Sequence, residues 1–316
     1  MAEYKTPVLI IGSGPAGYTA GIYAARAGLK PIIVSGEQLG GQLTITNLVE
    51  NYPGFPEPVL GAKLMEDMRK QAENVGARII DDKIVEIDFK TRPYECSSDN
   101  HNLFSGQTMI IATGASARWL GLENETKYRG FGISVCATCD GFFFRNKNVA
   151  VVGGGNTAAE EALFLSNYAS FVTIIHRRDS LRADKAMQEK IRKNHKIAVE
   201  WNSVVEDIIG TENPLEVTGL KVKNVKTDQT KILPVSGVFI AIGHQPNTEI
   251  FKGHIDLDDQ GYIITKHDTT QTSVPGIFAA GDVKNPRFRQ AVVAAGSGCM
   301  AAMEAEAYLL EQKLKS

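Results

Sequence analysis

The stretch "PVLIIGSGPAGYTAGIYAARAGLKPIIVSGE", residues 7 to 37, decides the fold. An apolar run at 8–11 leads into Gly-x-Gly-x-x-Gly, an alanine-rich helical pattern follows, and a second apolar run covers 32–34. This order predicts a dinucleotide-binding unit, because the glycines permit a tight turn, a close approach of a pyrophosphate and close packing of helix on strand. Glu37, after the second run, is placed to accept a hydrogen bond from a ribose hydroxyl. The alternative is a glycine-rich turn that only packs.

The same pattern recurs in "NVAVVGGGNTAAEEALFLSNYASFVTIIHRRD", residues 148 to 179. Here the turn has glycine at positions 153 and 155 and alanine at 158, and the second apolar run is followed by "HRRDSLR" instead of an acid. A planar guanidinium suits a phosphate, so arginines at this position favour NADP over NAD. A solvated basic face without a ligand is the alternative for this charge run.

Composition limits the class of protein. A chain of 316 residues is long enough for two domains of ordinary size. Its formal charge of −2 gives no electrostatic reason to expect nucleic acid or an anionic membrane as a partner, and no apolar run approaches the roughly 20 residues of a membrane span. The N-terminal residues do not have the pattern of a signal peptide. Four cysteines are too few for a disulfide scaffold and favour a reducing, cytoplasmic compartment.

Further strand-like runs indicate that one domain is inserted into another. Residues 110–122 and 238–248 each lead from an apolar run into a turn of small residues, and they flank the second nucleotide unit. Residues 272–283 form another such run, which ends in Gly281 and Asp282 before a helical pattern. The expected bounds are 1–117 and 247–316 for the outer domain and 118–246 for the inserted one.

Short motifs spread over the chain carry a family resemblance. They are "GSGPAGYTA", "GGQL", "VENYPGF", "ATGASA", "CATCDG", "GGGNTAAEEA", "HRRDSLRA", "AIGHQPNT" and "AAGDV" with "RQAVVAAGSGC". In these the sequence resembles the low-molecular-weight thioredoxin reductases of bacteria and fungi along essentially its full length. The resemblance implies an α/β fold of two Rossmann-like, three-layer ββα domains, with the NADPH domain inserted into the FAD domain. It also implies a homodimer that acts on thioredoxin.

The resemblance assigns cofactor residues one by one. Those expected to bind FAD are Gly12, Ser13, Gly14, Pro15, Ala16, Gly17, Ser35, Gly36, Glu37, Gln38, Leu39, Gly40, Gly41, Gln42, Asn51, Ala112, Thr113, Gly114, Gly281, Asp282, Arg289, Gln290 and Ala291. Those expected to bind NADPH are Gly153, Gly154, Gly155, Asn156, Thr157, Ala158, His176, Arg177, Arg178 and Arg182.

The segment "VCATCDGFFF", residues 135 to 144, has three possible uses. A structural zinc site generally needs four ligands, and the chain has no second closely spaced cysteine pair. A structural disulfide between Cys136 and Cys139 closes so small a loop that it adds little stability. We favour the third use, a redox-active pair, since a neighbouring helix start can lower a thiol pKa and the thiolate is the attacking species.

The resemblance gives these residues an order of action. It implies that NADPH reduces FAD, that reduced FAD reduces the Cys136–Cys139 disulfide, and that the dithiol reduces thioredoxin through a mixed disulfide. Cys139 is then the cysteine nearer the flavin, and Cys136 is the attacking one. Asp140 is the ionisable group inside the motif and is our candidate general acid–base, with a helix cap as the alternative. The flavin has to meet the nicotinamide and the disulfide, which lie on the same inserted domain, and the protein substrate has to reach Cys136. One rigid arrangement is not expected to serve all three, so we predict a rotation of the inserted domain.

The remaining aromatic and sulfur residues receive simpler expectations. The three phenylalanines of the motif are core, a shield for the disulfide, or a docking patch; the resemblance favours docking for Phe142 and Phe143. Related reductases often have arginine where this chain has Phe131, which bears on the docking of thioredoxin. Cys299, in a small-residue helix, is expected to be a packed thiol, and Cys96, in a polar stretch, a surface residue.

Several other functions fit parts of the pattern. A flavin dithiol oxidase would lack the arginine cluster, the reductase of a peroxide-reducing system usually carries an additional N-terminal module, and a ferredoxin–NADP reductase lacks the cysteine pair. A nucleotide-binding sensor without turnover would not need "CATCD". The sequence therefore favours an NADPH-dependent disulfide reductase.

Overall fold

The computed structural model describes residues 1–315, and the chain forms two compact units. Unit 1 consists of Met1–Ser116 and Gln245–Ser316, and unit 2 of Ala117–His244. The chain therefore passes twice between the two units.

The helices and strands are numbered along the chain. Up to the first passage they are β1 (Glu3–Ile11), α1 (Pro15–Arg26), β2 (Ile32–Val34), β3 (Leu48–Val49), β4 (Val59–Leu60), α2 (Gly61–Asn74), β5 (Arg78–Ile80), β6 (Ile84–Asp88), β7 (Tyr94–Ser98), β8 (Leu103–Ile111) and β9 (Ala115–Ala117). Then follow α3 (Glu123–Lys127), β10 (Ile133–Ser134), α4 (Ala137–Asp140), β11 (Asn148–Gly153), α5 (Asn156–Leu165), β12 (Phe171–His176), α6 (Lys185–Lys193), β13 (Ile197–Trp201), β14 (Ser203–Glu212), β15 (Leu215–Asn224), β16 (Thr230–Pro234) and β17 (Gly237–Ala241). The last are β18 (His244–Pro246), β19 (Ile277–Ala279) and α7 (Ala291–Lys315).

The main sheet of unit 1 has the order β5-β2-β1-β8-β7-β6, with β19 paired to β8. β1 runs parallel to β2 and β8, with Leu9 opposite Ile32, whereas β6, β7 and β8 pair antiparallel. Val8 and Ile10 belong to the core on one face of β1, and Leu9 and Ile11 to the core on the other. A parallel strand covered on both faces needs an unbroken apolar run, which explains why the sequence signal was so clear.

Unit 2 repeats this plan with a separate antiparallel layer. Its parallel sheet has the order β10-β17-β11-β12-β13, and β14, β15 and β16 form a meander. Val149 and Val151 pack with Ala162 of α5 on one face of β11, while Val152 packs with Leu220 of the meander on the other. Unit 2 is therefore a three-layer helix–sheet–sheet arrangement, and the expected α/β class with two Rossmann-like units is confirmed.

Small residues let α7 approach α1 closely. A Cβ added to Gly298 of α7 would lie 2.1 Å from the carbonyl oxygen of Ala16 in α1. The backbone of α1 is closely packed and cannot move away from such a contact. This close packing places the segment before α7 beside the first glycine turn. Although α7 has 25 residues, neither it nor any other helix within residues 1–315 is long and apolar enough to cross a membrane.

The expectation of a surface position for Cys96 is wrong. Cys96 lies in β7, where Tyr94, Cys96 and Ser98 point inward and the intervening residues face outward. It is buried among the apolar side chains below the sheet, and burial raises the pKa of its thiol to about 12. The polar neighbours in sequence belong to the outward face of the strand, so composition alone misplaced the thiol.

Candidate active site and dinucleotide sites

The first glycine turn in unit 1 leaves space at one glycine and none at the other two. A Cβ on Gly12 would lie 2.2 Å from the carbonyl oxygen of Ala112, and a Cβ on Gly17 would lie 1.9 Å from that of Gly12. A Cβ on Gly14 would meet nothing within 4 Å. Gly14 caps α1 without a side-chain hydrogen bond, so the first amide groups of this helix face the open space. The turn thus fits an anion such as a pyrophosphate.

Residues 35–42 lie against this turn. The hydroxyl of Ser13 donates a hydrogen bond to the carbonyl oxygen of Ser35 at 2.7 Å and accepts one from the amide of Gly40 at 3.0 Å. A Cβ on Gly41 would lie 3.2 Å from the Cα of Gly14. The segment assigned to FAD from its motif is therefore held beside the glycine turn by the Ser13 hydroxyl and by a close approach of the backbone at Gly41.

Two further segments of unit 1 reach the same edge of the sheet. The amide of Ala112 donates to Ile11 at the end of β1, and the amide of Ala280 donates to Ile111 at the end of β8. The side-chain amide of Asn51 donates to Gln290, at 3.3 Å. Since the carboxyl ends of parallel strands form the usual ligand edge of such a sheet, segments far apart in sequence converge on one site.

Acidic residues at this edge differ in their surroundings. Burial raises the pKa of Asp282 to about 6, and the Arg289 guanidinium opposes this rise. Glu37 is exposed, and its carboxylate lies 2.8 Å from the Lys83 ammonium, which lowers its pKa. The half-buried carboxylate of Asp282 at a strand end fits hydroxyl groups of a long cofactor. The described side chains of unit 1 thus fit FAD.

The second glycine turn, in unit 2, has the same distribution of space. A Cβ on Gly153 would lie 2.4 Å from the carbonyl oxygen of Ala241, and a Cβ on Gly154 would lie 2.1 Å from Nδ1 of His176. A Cβ on Gly155 would meet nothing within 4 Å. Gly155 caps α5 without a side-chain hydrogen bond. This turn also fits an anion at a helix start.

The basic segment after β12 divides into a buried and an exposed part. His176 is buried, with Nδ1 3.0 Å from the carbonyl oxygen of Gly153 and Nε2 2.9 Å from that of Ser180. The imidazole therefore holds the backbone of the glycine turn through its contact with Gly153. Arg177 and Arg178 are exposed, as is Arg182, whose backbone amide donates to the carbonyl oxygen of Gly154 at 2.7 Å. Exposed guanidinium groups next to the turn fit the extra phosphate of NADPH.

The motif cysteines are bonded to each other. A disulfide joins Cys136 and Cys139, with their Cα atoms 5.3 Å apart. Cys136 is the residue before α4, and Cys139 lies within that short helix. The Thr138 hydroxyl lies 3.4 Å from Sγ of Cys136. The chain thus holds a disulfide of very short span in the unit that carries the second glycine turn.

Asp140 shares a hydroxyl with the disulfide segment. Oγ of Ser134, at the end of β10, donates a hydrogen bond to Oδ2 of Asp140 at 2.5 Å and accepts one from the amide of Cys136 at 3.0 Å. Burial raises the pKa of Asp140, and the bond from Ser134 opposes that rise. Sequence reasoning missed Ser134, although a serine two residues before the first cysteine is a recognisable partner for a turn amide.

The phenylalanines after the motif point in different directions. Phe144 is buried against Phe239, whereas Phe142 and Phe143 are 53% and 36% exposed. Phe131 is also exposed, at 45%. The core alternative therefore holds for Phe144 alone among the three motif phenylalanines. Cys299 is partly exposed in α7 and so is less enclosed than the sequence suggested.

Comparison with known proteins identifies the family. The model of the pyridine nucleotide-disulphide oxidoreductase family matches residues 6–298. The thioredoxin reductase of Rickettsia conorii is 58% identical over 97% of this chain and 99% of its own, and that of Vibrio cholerae is 50% identical over 96% and 97%. The solved thioredoxin reductase of Giardia duodenalis superimposes with a TM-score of 0.92 at 40% identity, covering 97% of this chain and 99% of its own.

These matches span both glycine turns and the cysteine motif, so the resemblance drawn from the sequence is confirmed. The chain belongs to the pyridine nucleotide-disulphide oxidoreductase family, among its low-molecular-weight thioredoxin reductases.

Proposed function

We propose that this chain is an NADPH-dependent, FAD-containing thioredoxin-disulfide reductase. The observation that carries the proposal is the Cys136–Cys139 disulfide, joined through Ser134 to the half-buried Asp140 in the unit with the second glycine turn. NADPH supplies a hydride, and FAD relays its two electrons to a disulfide. The chain's own residues bind these cofactors and carry out the thiol chemistry.

Unit 1 is proposed as the FAD domain and unit 2 as the NADPH domain. The amide groups at the start of α1 and the segments around Ser13 and Asp282 would hold FAD. The start of α5 and the exposed Arg177 and Arg182 would hold NADPH and select it by its extra phosphate. Buried His176 would position the turn instead of touching the ligand, because both ring nitrogens already face backbone carbonyl oxygens.

The thiol exchange can be written as two displacements. The Cys136 thiolate attacks one sulfur of the partner disulfide, which forms a mixed disulfide and releases a partner thiolate. Cys139 then attacks the sulfur of Cys136, which releases the second partner thiolate and restores the Cys136–Cys139 bond. Two protons pass from the enzyme thiols to the partner. Asp140, whose pKa burial raises, would hold one of them.

Exposed aromatic side chains next to the disulfide support a protein substrate. Phe142 and Phe143 follow the motif directly and are accessible, which suits an apolar contact around a small docking point. Phe131 would add an apolar group where related reductases often have a charge. We therefore propose thioredoxin as the partner and these three side chains as part of its docking surface.

A second copy of the chain is proposed to cover an apolar surface of unit 1. Tyr23 of α1 and Val292, Val293, Met300 and Met303 of α7 are exposed in the single chain. Large apolar side chains grouped on neighbouring helices are typical of a subunit interface. A homodimer would cover this surface. The sparse cysteine content fits a reducing compartment such as the cytoplasm. Sedimentation at micromolar concentration would show a monomer if the proposal were wrong.

A rotation of unit 2 about its two chain passages is part of the proposal. The cysteine pair and the second glycine turn lie in the same unit, so both need access to one flavin in turn. Crosslinking the units in a single pose should therefore abolish turnover. Unchanged turnover after complete crosslinking would contradict the rotation.

The deciding experiment compares two half-reactions in wild type, Cys136→Ser and Cys139→Ser. NADPH should still bleach the flavin in both variants, while reduction of thioredoxin should fall by at least about 10³-fold, because each displacement needs its own sulfur. Cys96→Ser is the matched control, since that thiol belongs to the core of unit 1 and has no part in the proposed exchange. Full thioredoxin reduction by either motif variant would overturn the proposal.

A further inference from the structure

The hydroxyl of Ser134 is the feature of unit 2 that the exchange steps above leave without a role. Ser134 is 7% exposed and lies at the end of β10, where the strand gives way to the turn before α4. Its Oγ accepts the amide proton of Cys136 and donates its own proton to Oδ2 of Asp140. One buried atom therefore contacts both the segment of the proposed attacking cysteine and the proposed proton carrier.

We propose that Ser134 is a positioning residue, which fixes the carboxylate of Asp140 relative to Cys136 and keeps it able to accept and return a proton during thiol exchange. This inference rests on the proposed function and assigns no contact between Ser134 and substrate. A hydroxyl has a single proton, and Oδ2 of Asp140 at 2.5 Å is a much closer acceptor for it than the carbonyl oxygen of Cys136 at 3.4 Å. The amide of Cys136 and the carboxylate of Asp140 therefore set the orientation of the Ser134 hydroxyl.

The pKa of the Asp140 carboxyl depends on this hydroxyl. Burial raises the pKa of Asp140, and the hydrogen bond from Ser134 lowers it. α5, which packs against α4, carries two further carboxyl groups: Glu160, which is exposed, and Glu161, which is half-buried. Ser134 is the hydrogen-bond donor that the structure shows at the Asp140 carboxylate.

The sign of the expected change follows from the hydrogen bond. Ser134→Ala removes a donor to the ionised carboxylate, so Asp140 should hold its proton up to a higher pH than in wild type. Hydrogen bonds to charged groups correspond to a displacement of about one to two pH units. Ser134→Thr keeps a hydroxyl on the same carbon and should restore the wild-type position of the transition.

The experiment follows reoxidation of the NADPH-reduced enzyme by oxidised thioredoxin, in single turnovers from pH 5 to pH 9. In wild type one limb of the rate profile should depend on Asp140 and disappear in Asp140→Asn. In Ser134→Ala that limb should move to higher pH by about one unit or more. In the Asp140→Asn background, Ser134→Ala should slow reoxidation by less than a further factor of about two, because a residue that acts through Asp140 has nothing left to position.

Alkylation of the reduced enzyme by iodoacetamide gives a second readout that does not depend on turnover. Its pH profile should be displaced in Ser134→Ala and not in Ser134→Thr. Flavin bleaching by NADPH serves as the check that each variant is folded and loaded. An unmoved limb in a folded Ser134→Ala, or an equal slowing with and without Asp140, would overturn the role of Ser134. A wild-type enzyme that reduces no thioredoxin would instead overturn the proposed function.

Discussion

The two glycine turns share a sequence pattern but differ in how closely the helix approaches the turn. In unit 1 the third position is Gly17, where a Cβ would lie 1.9 Å from a carbonyl oxygen. In unit 2 the same position is Ala158, and there is room for its Cβ because the neighbouring Gly153 has no side chain. The difference teaches that the third residue of the pattern sets the distance between helix and strand, while the middle glycine alone is kept open for a ligand.

The largest expected contrast comes from exchanging these third residues. Gly17→Ala should abolish FAD binding and destabilise the chain by about 3 kcal/mol, because backbone cannot move away from the added carbon. Ala158→Gly should cost only about 1 kcal/mol, the usual difference in a helix. Urea unfolding and the flavin-to-protein absorbance ratio measure both. A Gly17→Ala protein with full flavin content would show that the turns are not packed differently.

The second contrast concerns the charges that follow each βαβ unit. Arg177→Ala and Arg182→Ala should each raise KM for NADPH by about tenfold to a hundredfold, the loss of one charge-assisted hydrogen bond. KM for NADH should stay within about twofold, since NADH lacks the extra phosphate. Lys193→Ala, which removes an exposed cation of α6, is the matched control. Equal changes for both nucleotides would mean that these arginines form only a solvated face.

The third contrast lies between Asp282, a half-buried acid of unit 1, and the exposed arginines of unit 2. The pKa of Asp282 is raised to about 6, so the folded apoprotein binds this proton more tightly than the unfolded chain. Its contribution to stability is therefore complete below about pH 4 and is lost as pH rises through about 6, by about 3 kcal/mol in total.

Asp282→Asn should remove this dependence. Urea unfolding of flavin-free wild type and variant between pH 4 and pH 7 measures it, and the gap between their unfolding free energies should widen in favour of the variant as pH rises. A constant gap across that range would contradict the raised pKa of Asp282 in the folded chain.

The smallest expected effect belongs to Glu37, the acid that distinguishes the first βαβ unit from the second. Its carboxylate is exposed and paired with Lys83, so Glu37→Gln should leave thermal stability unchanged. FAD affinity should fall by about threefold to tenfold if a ribose hydroxyl binds there. Glu212→Gln, which breaks another exposed pair with Lys127, provides the control. Unchanged FAD affinity would limit Glu37 to its surface ion pair.

Much of the fold was predictable because it depends on local patterns. The apolar runs at 8–11 and 32–34 became β1 and β2, and those at 149–152 and 172–175 became the cores of β11 and β12. Parallel strands buried on both faces must be apolar throughout, so their sequence signal has few alternatives. The meander β14–β16 was not predicted, since antiparallel strands with one solvated face give a weaker alternating signal.

The wrong expectation for Cys96 and the unpredicted burial of His176 both concern side chains whose surroundings come from distant parts of the chain. Cys96 has polar neighbours in sequence, but its strand turns it into the core. His176 stands in a basic motif, yet both ring nitrogens face backbone carbonyl oxygens. Composition of a short segment cannot distinguish the two faces of a strand or a buried ring from an exposed one.

By itself the sequence determined the class of fold, the two glycine turns and the cysteine pair, because each depends on residue types at short fixed spacings. Only the tertiary structure decided which of these residues act together. Ser13 joins two segments of unit 1, and Ser134 joins the amide of Cys136 to a carboxylate whose proton affinity is set by burial. Hydrogen-bond direction and desolvation arise from packing between distant segments, so no local pattern contains them.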